Sequence, residues 1–195
     1  MDQSQLLSQL LNNDQLLGKL SSMVDAKPEA VKQAAGLGLP TIIEALTRNA
    51  SSPEKKISLA KALDDHQDDD VSDLEGFLNK LNPEDSSKML GHILGDKKGT
   101  VEQKISASSG LGTGQVSGLL SMLAPILMGM LGNKKKAENV GVDGLPDLSA
   151  SLGGLLKGGS GGGLMDMATK ILDSDGDGSI MDNLGDLFGG LFGKK

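Results

Sequence analysis

Two apolar segments, each interrupted by a proline at the same place, constrain this chain more than any other feature. The first runs Val31-Lys32-Gln33-Ala34-Ala35-Gly36-Leu37-Gly38-Leu39-Pro40-Thr41-Ile42-Ile43-Glu44-Ala45-Leu46. The second runs Val116-Ser117-Gly118-Leu119-Leu120-Ser121-Met122-Leu123-Ala124-Pro125-Ile126-Leu127-Met128-Gly129-Met130-Leu131. The prolines lie 85 residues apart (125 − 40), and that offset pairs Val31 with Val116 and Leu46 with Leu131. Ile42 meets Ile126 one residue out of step. Upstream, Lys19-Leu20-Ser21 meets Lys104-Ile105-Ser106. One helical unit used twice accounts for the pattern, although two copies fall short of a solenoid. The first copy carries Lys32 and Glu44 as an amphipathic helix would, with Pro40 expected to kink it. The second has no charge from Val116 to Gly132, at the lower edge of a membrane-spanning length. Its kinship with the first copy makes it a central helix of the same bundle.

The rest of the chain to about residue 135 shows apolar residues at three- and four-residue spacing, which predicts helices. Segments 4–11 and 14–24 begin the series. Pro28 suits a first helical turn. Ser52-Pro53-Glu54 opens a helix with Ile57, Ala60 and Leu63 on one face. Ser72 is expected to cap a helix holding Leu74, Phe77, Leu78 and Leu81, and Asn82-Pro83 starts one carrying Met89, Leu90, Ile93 and Leu94. Thr100 and Thr113 are the expected N-caps of the last two. The chain has no Cys, Trp or Tyr and only three Phe, so its core must be Leu, Ile, Val, Met and Ala. That palette favours helices, and no stretch alternates as a strand would. The fold class is therefore all-α: a helical bundle over 1–136, built from two related units. A Gly-rich linker over 137–163 follows, expected to be mobile over 141–163, since residues 141–195 hold 15 of the 28 glycines. A helix-loop-helix tail over 164–195 completes the chain, with apolar stripes at Leu164–Ile171 and Ile180–Leu191.

Between those stripes lies Asp173-Ser174-Asp175-Gly176-Asp177-Gly178-Ser179-Ile180. Carboxylates at alternate positions followed by glycine form the first half of an EF-hand-type Ca²⁺ loop. Asp173, Asp175 and Asp177 supply side-chain oxygens, Gly178 the sharp turn, and Ser179 a backbone carbonyl. The twelfth position is Leu184 where a bidentate carboxylate is expected, so Asp182 is the substitute ligand. An incomplete set predicts weak binding, on the order of 10⁻⁴ to 10⁻³ M. The competing reading is a plain turn with Ser179 as N-cap and Asp182 as its partner.

The stretch Lys88-Met89-Leu90-Gly91-His92-Ile93-Leu94-Gly95, with Ser109-Gly110-Leu111 and Leu123-Ala124-Pro125-Ile126-Leu127-Met128, resembles the YidB-related family of uncharacterised bacterial helical proteins. The likeness covers roughly residues 1–135, and the tail loop is similar to EF-hand and dockerin loops. The family implies an all-α bacterial protein without an established activity, and it lends no catalytic residues.

The net charge of −7 and the scarcity of rings argue against nucleic acid as a partner. The polar start Met1-Asp2-Gln3-Ser4-Gln5 is not expected to be a secretory signal, which points to a cytoplasmic protein. No nucleophile elbow, P-loop or cysteine nucleophile is present, so no enzyme is expected. His66 sits in Asp64-Asp65-His66-Gln67-Asp68-Asp69-Asp70, expected to be a solvated acidic loop rather than a metal site. His92 lies on a helix and is expected at an interface; a pairing with His66 in space is the alternative. Lys134-Lys135-Lys136 complements a helix C-terminus. Two functions follow: a non-enzymatic protein binding Ca²⁺ weakly, or an interaction module associating with a protein partner or itself through apolar helices.

Overall fold

The computed structural model describes residues 12–156 and 171, and these form an all-α architecture with no strand among them. Helix α1 spans Asp14–Val24. The Asn13 side chain accepts from the N–H groups of Gln15 and Leu16 at its start, and Asp25 closes it in the left-handed conformation, φ 51°. Helix α2, Pro28–Ser51, has its proline in the first turn, where the missing N–H costs nothing. Then come α3 (Lys56–Asp65), α4 (Leu74–Lys80) and α5 (Pro83–Leu94), the last capped by Asn82. A 3₁₀ turn at Gly95–Lys97 leads into α6 (Lys98–Ser109), which ends at left-handed Gly110. Helix α7 spans Thr113–Ala137. A second 3₁₀ turn, Val142–Gly144, precedes α8, Leu145–Leu156.

Helices α2 and α7 are the two long central elements and pack on each other. Each contains its proline in the interior. Leu39, Ile42 and Leu46 of α2 and Leu119, Leu123 and Leu127 of α7 are completely buried. A helix of α7's length and apolarity passes the composition test for a membrane span. Most of its apolar surface is nevertheless covered by neighbouring helices, which is what a central core helix requires.

The 85-residue offset recurs in the backbone. Shifting α2 by that amount starts it at 113, the first residue of α7. Shifting α1 ends it at 109, the last residue of α6. The left-handed caps Asp25 and Gly110 correspond, and their N–H groups donate to the carbonyls of Ser21 and Ser106, which also correspond. Around the central pair the packing crosses over: α3 lies on α7, while α8 lies chiefly on α2.

Several local expectations are corrected. Ile57 is 66% exposed, and Leu59, Ala60 and Leu63 form the buried face of α3 instead. Ile57 stands two residues before Leu59, about 200° around the helix, and so faces away from it. Asp73, not Ser72, caps α4: its carboxylate accepts from the Gly76 N–H, while the Ser72 hydroxyl donates to Asp70. Thr100 lies inside α6, which begins at Lys98 as a continuation of the preceding 3₁₀ turn. Gly112, not Thr113, is the N-cap of α7, and its N–H donates to Gln115 Oε1 at 2.9 Å. Residues 145–156, expected within a mobile linker, form α8 with Leu145, Leu148 and Leu152 buried. Their three- and four-residue spacing outweighs the local glycine content. The run Gly158–Gly163 and nearly all of the tail lie outside the described residues.

Candidate functional site

Two glycines of α7 create the site. A Cβ on Gly132 would come within 2.6 Å of the Leu63 carbonyl oxygen and 2.9 Å of the His66 backbone. One on Gly129 would come within 2.7 Å of Val71. Their absence of side chains lets the end of α3 and the loop after it lie directly on α7. The acidic run 64–70 then faces the basic end of α7. Lys135 pairs with Asp64 and Lys136 with Asp68, both at 2.5 Å, and Asn133 Nδ2 donates to the Asp69 carbonyl at 2.9 Å. Asp64, Asp65, Asp68 and Asp70 are exposed, as a solvated loop requires, while the Asn133 hydrogen bond and the glycine seat tie its backbone to α7.

His66 is the C-cap of α3 and is half-buried. Its Nδ1 lies 2.7 Å from Asp69 Oδ2, so a carboxylate orients the ring. Nearby, the Ser72 hydroxyl bonded to Asp70 holds that carboxyl below its ordinary range. His66 stands between two cavities. The larger, about 640 Å³, has an apolar floor of Leu59, Ile93 and Met128, with Met89 beside it and His92 among its lining residues. The smaller, about 490 Å³, includes Phe77, Ser86 and Pro125. His66 and His92 thus line one cavity, with no hydrogen bond between them among the described residues. The cavity itself could not be foreseen, because it is assembled from α3, α5 and α7. The usable signal was charge: seven residues rich in Asp and three consecutive lysines.

The larger cavity is of ligand size. An oriented imidazole at its wall can exchange a hydrogen bond with a polar group on a bound molecule. Among the described residues no hydroxyl is hydrogen-bonded to His66. Nor do the described residues contain three His, Cys, Asp or Glu placed to hold a metal. Asp173, Asp175, Asp177, Ser179 and Asp182 all lie outside the described residues.

Residues 5–134 match the family model for bacterial proteins of unknown function, DUF937. The chain belongs to this family. No curated protein and no solved structure matches it. In this DUF937 protein the matched region takes in α2, α7 as far as residue 134 and every residue lining the His66 cavities, and it stops before α8 and the run Asp173–Asp182.

Proposed function

We propose that this DUF937 protein is a non-enzymatic cytoplasmic module whose helical body carries a weak Ca²⁺ loop near the C-terminus. The observation that carries the proposal is the run Asp173-Ser174-Asp175-Gly176-Asp177-Gly178. Its alternating carboxylates and sixth-position glycine are the requirements of an EF-hand-type half-loop. Asp173, Asp175, Asp177 and the Ser179 carbonyl are the proposed ligands, with Asp182 replacing the missing twelfth-position carboxylate. The likeness of the tail run to EF-hand and dockerin loops supports the assignment. The non-enzymatic part is supported by the lack of an acid, base and nucleophile set in the sequence. Calorimetric titration of the full chain with CaCl₂ tests the loop. Saturable binding in the range of about 10⁻⁴ to 10⁻³ M, lost in Asp173→Ala/Asp175→Ala, is the expected result. No binding, or equal binding by both proteins, sinks it and leaves the capped turn.

A second reading, an interaction module, is favoured by exposed Ile57 on α3 and by the half-open apolar cavity beside that helix. Sedimentation velocity over a range of concentrations tests self-association, with Ile57→Asp expected to weaken it.

A further inference from the structure

Two helix faces frame the larger cavity along their whole length. Helix α3 contributes Ser58, Leu59 and Ala62, between Lys55 at its start and His66 at its end. Helix α5 contributes Asp85, Lys88, Met89, His92 and Ile93. Both sets repeat at three- and four-residue spacing, so each is one face of its helix. The cavity is therefore a channel between the two helices, with Met128 of α7 in its floor.

Its proportions select an occupant. Lys55 and His66 are 11 residues apart (66 − 55), about 16 Å along a helix. A volume of about 640 Å³ over that length leaves a mean cross-section of about 40 Å². An α-helix with its side chains is about 10–12 Å across and needs roughly twice that area. A single extended chain fits. The wall favours hydrocarbon: Leu59, Ile93 and Met128 are buried, Ala62 and Met89 half-buried, and no aromatic ring lines the channel. Methionine adapts readily to a slender apolar guest.

The two ends differ in charge. His66, Asp85 and Met89 also line the smaller cavity, where Asp68, Asp69 and Asp70 crowd that end with carboxylates. At the other end the Asn49 side chain donates to the Ile93 carbonyl at 2.9 Å, which brings the close of α5 beside the turn that opens α3. Lys55 and His92 line the channel there, with exposed Glu54 next to them. Lys88 is held by Glu84 at 2.7 Å, whereas Lys55 forms no ion pair among the described residues. An anionic head is repelled at the first end and has two donors at the second.

We propose that this channel binds a straight-chain aliphatic carboxylate, its head at Lys55 and His92 and its tail running past Leu59, Ile93 and Met128 toward Met89. The Ca²⁺ loop takes no part, so a failed calcium titration leaves the channel standing.

The test is NMR of the full-length protein labelled in histidine, titrated with sodium decanoate below its micellar concentration and without added metal. The chain has two histidines, one at each end of the channel, and His92→Gln assigns them. Saturable shifts of both imidazoles are expected. Decanol and decylamine should bind more weakly, and Lys55→Gln should weaken decanoate about two- to fivefold. Ser58 is exposed, so Ser58→Phe obstructs the channel without entering the core and should abolish the shifts. Unmoved imidazoles, equal binding of decanol or decylamine, or undiminished binding by Ser58→Phe overturns the proposal.

Discussion

At Gly132 the whole cost of a methyl group falls on the backbone. Leu63 and His66 present main-chain atoms there, and a helix-capping turn cannot retreat as a flexible side chain can. Gly132→Ala should destabilise the protein by about 1–3 kcal/mol in urea denaturation, despite Ala's better helix propensity. Gly118→Ala is the control. Its Cβ would meet only Val24 at 3.5 Å, an ordinary contact, so it should be neutral or slightly stabilising. Asp70 offers a test of a different kind. The Ser72 hydroxyl lowers its pKa, so its small stabilising share is present above the unfolded value and is lost as pH falls through the folded one. Ser72→Ala should raise the Asp70 pKa in an NMR titration of the carboxyl carbon; an unchanged midpoint would show the hydrogen bond to be irrelevant.

Among the elements, α8 and the acidic loop show what local composition conceals. Both are polar or glycine-rich in sequence, and both are held by partners distant along the chain. Leu152 is fully buried in α8, so Leu152→Ala should cost about 2–5 kcal/mol in thermal or chemical denaturation. A tethering linker would lose nothing. The lysines at the end of α7 work at smaller energies. Lys135 is largely covered while Asp64 is half-exposed, so a double-mutant cycle should return a coupling below about 1 kcal/mol that shrinks with added salt. The N-caps were the least legible feature. Ser72, Thr100 and Thr113 all have cap chemistry, yet the helices start beside them, because cap residue types are common in every polar loop and only the packed helix axis selects one.

For the molecule as a whole, two pairs of helix bounds and the left-handed caps Asp25 and Gly110 fall 85 residues apart, as the prolines do. Two apolar helices, each with an interior proline, pack on each other at the centre. Proline removes one backbone hydrogen bond, and a helix tolerates that best where packing on all sides holds it. Replacing Leu123 with Asp, at the middle of α7, should abolish cooperative unfolding by circular dichroism, since a fully buried carboxylate has no partner there.

The all-α class, the two proline-bearing central helices and most helix positions were decided by sequence alone, through apolar periodicity and a palette without rings or thiols. These are short-range properties that each segment carries with it. Which face of α3 is buried, that 145–156 pack rather than tether, and that His66 meets Asp69 beside a cavity were decided only by tertiary structure. Each depends on a surface contributed by residues tens of positions away, above all the glycine seat on α7, and no local pattern encodes the approach of two distant backbones.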